Sequence, residues 1–193
     1  MIVSESYELY ERLLRCKLLE NSPEFWWPNY GSFEVIIGAI LTQNSQWKRV
    51  EISLDNLRNN DLLSLENILT CKDELLIECI RPSGMFQNKS KYIKGLSQAI
   101  SDDFGDFENF TCHVDREWLL KQKGIGKETA DSILCYACKR CVMVVDTYTY
   151  RLLMALGYEF SEYDDLQSWF DVSDEVMAAR FHGMIVEYVK GHL

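Results

Sequence analysis

Residues 119–134 read LLKQKGIGKETADSIL: two glycines one residue apart, set between two apolar stretches, with lysines at 121, 123 and 127. Gly124 and Gly126 around Ile125 suit a tight turn, because glycine accepts a positive φ and lets another backbone come close. Ile125 can tuck into a core between the flanking helices. The helix that begins at about Lys127 then starts with N–H groups that have no partner within it. Such groups, at the positive end of a helix dipole, suit an anion. Lys121, Lys123 and Lys127 add charge around them. A plain helical corner with glycines for close packing is the competing reading of the same residues.

If the turn holds phosphate, the arrangement is a helix–hairpin–helix, which grips a nucleic-acid backbone without reading its sequence. The whole chain argues the other way, since 193 residues carry a formal charge of −10. The distribution matters more than the sum. Between Arg116 and Arg140 lie Arg116, Lys121, Lys123, Lys127, Lys139 and Arg140, against Glu117, Glu128 and Asp131. The acidic excess sits elsewhere, in SDDFGDFE (101–108) and SEYDDLQSWFDVSDE (161–175). Five tryptophans and ten tyrosines exclude wholesale disorder. No apolar run approaches the ~20 residues that span a bilayer. The first residues, MIVSESYELYERLLRCKLLE, are charged and amphipathic, unlike a signal peptide. A cytoplasmic, monomeric protein is expected.

Around the motif, apolar residues recur at helical spacing in YELYERLLRCKLL, FEVIIGAIL, WKRVEISLDNLRN, LLSLENILT, DELLIECI and NKSKYIKGLSQAI. NSPEFWWPNYGS (21–32) holds two of the three prolines and reads as a loop carrying Trp26 and Trp27. Only VMVVD (142–146) has strand character; with no partner strand, it reads as a buried connector. The C-terminal stretch from Tyr163 reads as two more helices. The fold class is therefore all-α. CYACKRC (135–141) spells three cysteines at metal-like spacing, but no cysteine follows Cys141. The stronger reading is buried helix, where cysteine packs as a small hydrophobe. No metal site and no cofactor are expected, and the three histidines have no metal-like spacing.

Asp146 follows the apolar run and precedes VVDTYTYRL's helix, where alone it would read as an N-cap. Together, GIGKETADSIL and VVDTYTYRL resemble the helix–hairpin–helix base-excision DNA glycosylases of the endonuclease III superfamily. GAILTQNSQW (38–47) resembles that family's early helix ending in a glutamine, here Gln43, that fills the space left by an extruded base. RPSGMFQNKSKYI (81–93) resembles its glycine–aromatic–lysine segment, with Gly84 and Lys89 in register. WWPN, LTQN and GIGKE resemble most the bacterial 3-methyladenine-DNA glycosylase subgroup.

The resemblance implies two helical lobes with an active-site cleft between them. Residues 1–193 then form a single glycosylase domain, with an inner lobe at roughly 30–112 and a hairpin lobe from 1–29 plus 113–193. It implies Asp146 as the catalytic carboxylate, stabilising positive charge on the sugar and guiding water. It implies a base pocket from Trp26 and Trp47, with Trp27 and Pro28 in its wall; Trp27 reads equally as core. DNA contacts fall to Gln43, Lys89, Lys123, Gly124, Ile125, Gly126, Lys127 and Thr129. The partner is double-stranded DNA containing alkylated bases. Strand-cutting relatives place a lysine where this chain has Glu128, and Lys127 is turned about 100° away from that position. The expected enzyme is therefore monofunctional and cluster-free. Glu128 either borders the pocket or is a first-turn glutamate favoured by the helix dipole. The competing readings are a glycosylase for another damaged or mismatched base, a non-enzymatic DNA-binding module, and a metalloprotein on Cys135, Cys138 and Cys141.

Overall fold

The computed structural model describes residues 5–193, and these form helices joined by short connections, with no strand among them. Contacts divide them into two compact units, Gly31–Ile133 and the described residues to Tyr30 together with Leu134–Leu193.

The axis of Gly31–Ile133 is α2 (Phe33–Leu41), all nine of whose residues are buried. FEVIIGAIL is apolar on nearly every side, so each face of the helix needs a neighbour. In α3 (Trp47–Asn59) the buried Val50, Leu54 and Leu57 form a single stripe. That stripe packs on α5 (Asp73–Ile80) and the 3-10 turn Arg81–Ser83. The long α6 (Phe86–Phe104) runs against α2, α5 and α4 (Leu65–Thr70). Gly105, at φ +83°, ends α6, and the Asp106 carboxylate accepts from the Asn109 N–H to start α7 (Phe107–His113). This short helix starts at the end of the acidic stretch 101–108 and is not among the segments with helical periodicity. Asp115 caps α8 (Arg116–Lys121) in the same way, and α9 (Lys127–Ser132) follows the hairpin.

The hairpin belongs to this unit, so the boundary falls after residue 133 and not at 112/113 as the sequence suggests. Ile125 and Ala130 are buried, and Arg116 grips the buried Asp131 through two hydrogen bonds of 2.8 and 3.0 Å. Gln43 ties the end of α2 to the turn. These interactions link the hairpin to residues before 113 or within it.

In the other unit α1 (Glu5–Arg15) and α10 (Thr147–Ala155) pack on α12 (Glu175–His192), with α11 (Tyr163–Ser168) between the last two in sequence. Their core includes Leu13, Val145, Leu153, Phe170, Phe181 and Ile185. Residues Met143, Val144 and Val145 are buried without forming a strand, which is the connector read from VMVVD. The run KETADSILCYAC is not one regular α-helix: after Ser132 it widens into a π-helical turn, Ile133–Ala137. Such turns re-aim side chains and recur at functional sites. Here the turn carries Tyr136 inward.

Candidate active site

Asp146 is the N-cap of α10 and forms a reciprocal capping box with Thr149. Its Oδ1 accepts from the Thr149 N–H at 2.9 Å and from Thr149 Oγ1 at 3.1 Å. Its Oδ2 faces His182 Nε2 at 3.3 Å, and the side chain keeps only 14% exposure. Burial pulls the carboxyl's pKa upward. The His182 hydrogen bond and charge, with the Thr149 donors, outweigh that, and the net shift is downward. The site thus holds a partly buried, ionised carboxylate whose Oδ1 is fixed from one side.

An aromatic cluster surrounds His182. Trp26 sets its ring edge-on to the imidazole at 5.2 Å between centroids, and Trp27 lies 5.9 Å from Trp26 and 5.1 Å from Tyr136. Trp26 has a φ of +66°, a conformation that is uncommon for a bulky residue. Its indole N–H donates to Glu187 Oε1 at 3.0 Å, which helps hold it there. Lys190 Nζ also donates to Glu187 Oε1 at 3.0 Å and stands 5.8 Å from the centre of the Trp26 ring. Tyr30 stacks on Phe25 at 4.2 Å, and its phenol is pushed up to about 12 by burial, then by Cys135 and Glu175.

In the hairpin, Gly124 has a φ of +84°, and a Cβ there would run into the Tyr92 ring. Gly126 differs from the expectation. Its φ of −94° and ψ of 178° are ordinary extended backbone, so it serves as the N-cap of α9 without needing positive φ. Gln43 Nε2 donates to Gly124 O at 2.9 Å and to Thr129 Oγ1 at 3.0 Å. Lys123 and Gly126 are exposed and Lys127 is half-buried.

Several sequence expectations change at this point. Lys89 is no DNA contact: it is 2% exposed, and its Nζ donates to Leu41 O at 2.8 Å and Ser83 O at 2.9 Å. Burial lowers its pKa to about 8. The hydroxyl of Thr129 points inward to Gln43, which leaves its backbone for any contact with phosphate. Ile125, named among the DNA contacts, has its side chain in the core, as the tight-turn reading suggests, so it offers no side-chain contact to DNA. Gln43, expected to fill the place of an extruded base, here ties α2 to the hairpin. Trp27 is only 7% exposed, which favours its reading as core beneath Trp26. Pro28 beside it is half-buried. Trp47, the first residue of α3, is half-buried, and Glu128 is exposed in the first turn of α9. Cys135 is buried, whereas Cys141 is exposed and directs its thiol to Val172 O. Among the described residues no group of three or more His, Cys, Asp or Glu side chains is placed to hold a metal ion. No described helix is long and apolar enough to cross a membrane.

Sequence reasoning missed three members of the Asp146 site: His182, Tyr136 and Glu187. One signal was available. His182 interrupts the otherwise apolar face of MAARFHGMIV, and a polar residue there needs a partner. Nothing in the sequence says that the partners lie 36 and 46 residues away.

Comparison with known proteins places the chain in a class. Residues 37–162 match the HhH-GPD superfamily of base excision DNA repair proteins, and the chain belongs to that superfamily. It is a base excision DNA glycosylase. A protein of Methanocaldococcus jannaschii assigned as a DNA repair glycosylase is 38% identical, over 95% of this chain and 86% of its own length. Endonuclease III of Sulfolobus acidocaldarius is 30% identical over 72% of this chain and 63% of its own. The crystal structure of H. pylori 3-methyladenine DNA glycosylase (MagIII) bound to 1,N6-ethenoadenine superposes with a TM-score of 0.93. It is 43% identical and is covered over 99% of both chains.

Proposed function

We propose that the chain is a monofunctional DNA glycosylase that hydrolyses the N-glycosidic bond of alkylated purines, with 3-methyladenine favoured, and leaves the strand uncut. The observation that carries this reading is the Asp146 carboxylate, held by Thr149 and His182 next to the Trp26 cluster. Alkylation at N3 makes adenine cationic and already a good leaving group, so little general-acid help is needed. What remains is to stabilise charge developing on the sugar and to direct water to the anomeric carbon. One carboxylate can do both, and removal of one such electrostatic group costs roughly 10²–10³-fold in rate. An indole face favours a cationic base by ~0.5–2 kcal/mol. A base must leave the stack before this chemistry, and an alkylated one is cheaper to extract than an intact one. The likeness to a 3-methyladenine glycosylase at 43% identity supports the substrate class.

Double-stranded DNA is the proposed partner, held through backbone contacts at Lys123, Gly124, Gly126 and Lys127. The enzyme is proposed to act as a monomer in the cytoplasm. Trp26 and Trp47 are the proposed stacking residues, and alanine at either position should weaken binding of 1,N6-ethenoadenine.

The test is chromatography of bases freed from methylated DNA, by wild type and by Asp146→Asn, with the DNA then treated with or without alkali. The wild type should release 3-methyladenine and nick only after alkali. Asp146→Asn should bind the same DNA and release at least about 10²-fold more slowly. If the wild type releases no methylated base while binding DNA, the alkylated-purine reading fails; release of another damaged base would redefine the pocket.

A further inference from the structure

Beyond Asp146 itself, a buried chain of polar groups stands behind the carboxylate. Tyr136 is fully buried, and its hydroxyl lies 2.7 Å from His182 Nδ1 and 3.0 Å from Ala179 O. His182 is 3% exposed, and its other nitrogen, Nε2, faces Asp146 Oδ2. A phenol has one proton to give and two acceptors within reach. Burial, with Cys135, Asp146 and Tyr30 adding, pushes this phenol well above its ordinary range, so the proton stays on it.

When His182 is neutral, the facing carboxylate favours the ring proton on Nε2, and the phenol supports that tautomer by donating to the bare Nδ1. When His182 is an imidazolium, Nδ1–H donates to the phenol oxygen, the phenol turns its proton to Ala179 O, and Nε2–H again aims at Asp146. Every donor has an acceptor in both arrangements. The tautomer with a bare Nε2 would set a lone pair against the carboxylate, and the geometry disfavours it. The other groups near the imidazole do not change this logic. Trp26 presents an uncharged ring edge, and Glu187 and Lys190 lie beyond that indole, paired with each other.

We propose that His182 is a positioning residue for Asp146, and that the buried Tyr136 hydroxyl keeps it an N–H donor to Oδ2 in either protonation state. With Oδ1 fixed by Thr149, this second donor fixes the carboxylate plane and leaves the remaining lone pairs of Oδ2 as the reactive face. The role in base release rests on the glycosylase reading above; the effect on the Asp146 carboxyl does not.

The experiment compares His182→Leu, His182→Gln and Tyr136→Phe in the full chain. Three quantities are read: single-turnover release of 3-methyladenine, affinity for DNA with a tetrahydrofuran abasic site, and Asp146 titration by carboxyl 13C NMR. His182→Leu should slow release about 10- to 100-fold, the scale of one hydrogen bond to a charged group. DNA affinity should hold within about twofold. The Asp146 titration should move to higher pH, because a donor to the anion is gone. His182→Gln, which keeps an N–H donor, should recover most of the rate. Tyr136→Phe frees the tautomer and should slow release about 3- to 10-fold. Wild-type rate and unshifted titration in His182→Leu would overturn the proposal, as would equal impairment of the Leu and Gln variants. If His182→Leu fails to fold, an unshifted Asp146 titration and unchanged rate in Tyr136→Phe overturn it alone. If the wild type releases no methylated base, the functional reading fails while the NMR titration still decides this one.

Discussion

Trp26 rests directly on the backbone of Gly183: a Cβ at position 183 would clash with the Trp26 Cβ and Cγ atoms. Gly183 sits in mid-helix, where glycine costs about 1 kcal/mol relative to alanine. Here the missing side chain is the space Trp26 occupies. Gly183→Ala should therefore destabilise the protein by roughly 1–3 kcal/mol, the scale of overpacking, despite the better helix propensity. It should also shift Trp26 and, if Trp26 stacks on the base as proposed, weaken binding of 1,N6-ethenoadenine. Thermal melting and tryptophan fluorescence check this; a gain in melting temperature with unchanged base binding would refute the close packing.

The two hairpin glycines make unequal predictions. Gly124 combines a φ of +84° with the Tyr92 ring in the place of a Cβ. Gly124→Ala should lower stability by about 1–3 kcal/mol, the combined scale of αL strain and overpacking. At Gly126 a Cβ meets nothing within 4 Å and φ is ordinary. Gly126→Ala should cost less than Gly124→Ala, only the few tenths to about 1 kcal/mol of an N-cap exchange, and lose DNA affinity only through hindered approach of a phosphate. Equal melting temperatures for both variants would contradict the geometry.

Lys89 closes the C-terminal ends of α2 and of the 3-10 turn by donating to Leu41 O and Ser83 O. Lys89→Met leaves those carbonyls unpaired and should cost about 1–3 kcal/mol. The salt dependence of DNA binding should stay unchanged, whereas loss of a phosphate contact would flatten its slope by about one unit. The linkage has a definite sign. The folded-state pKa, about 8, lies below the ordinary 10.5, so between these values the unfolded chain binds more protons. The burial penalty is fully present below pH 8 and is relieved as pH rises toward 10.5. Relative to Lys89→Met, wild-type stability should therefore rise across that window, as denaturant titrations at several pH values would read.

Helical periodicity made the all-α class legible, and glycine spacing made the hairpin legible, because both are local signals. Asp146 was visible as a cap and as a match to a known motif, and both roles are compatible in one residue. Lys89 departs from the DNA contact that the resemblance implies because an exposed and a buried lysine share one letter, and only packing around Leu41 and Ser83 distinguishes them. The Tyr136–His182 pair depends on a π-helical turn and on α12, which no local pattern links. The same holds for Gln43, whose register suggested a role against DNA while its amide reaches Gly124 and Thr129. What stayed hidden is long-range pairing of polar groups, which contributes specificity without leaving a period in the sequence.

Position 128 offers a test of the proposal that the enzyme leaves the strand uncut. Lys127 is the first residue of α9 and Glu128 the second, so their side chains diverge by about 100° around the helix. An amine at 127 therefore does not substitute for one at 128, the position that the resemblance to strand-cutting relatives implies for a nucleophile. Wild-type protein incubated with abasic DNA and borohydride should give no covalent complex, since no Schiff base forms without a suitably placed amine. Glu128→Lys should give one. Lys127→Ala should leave base release unchanged at saturating enzyme while reducing the salt slope of DNA binding by about one. A borohydride-trapped complex with the wild type would show that some other amine reaches the sugar and end the monofunctional reading. No trapping with Glu128→Lys would instead mean that the register carried over from those relatives does not apply here.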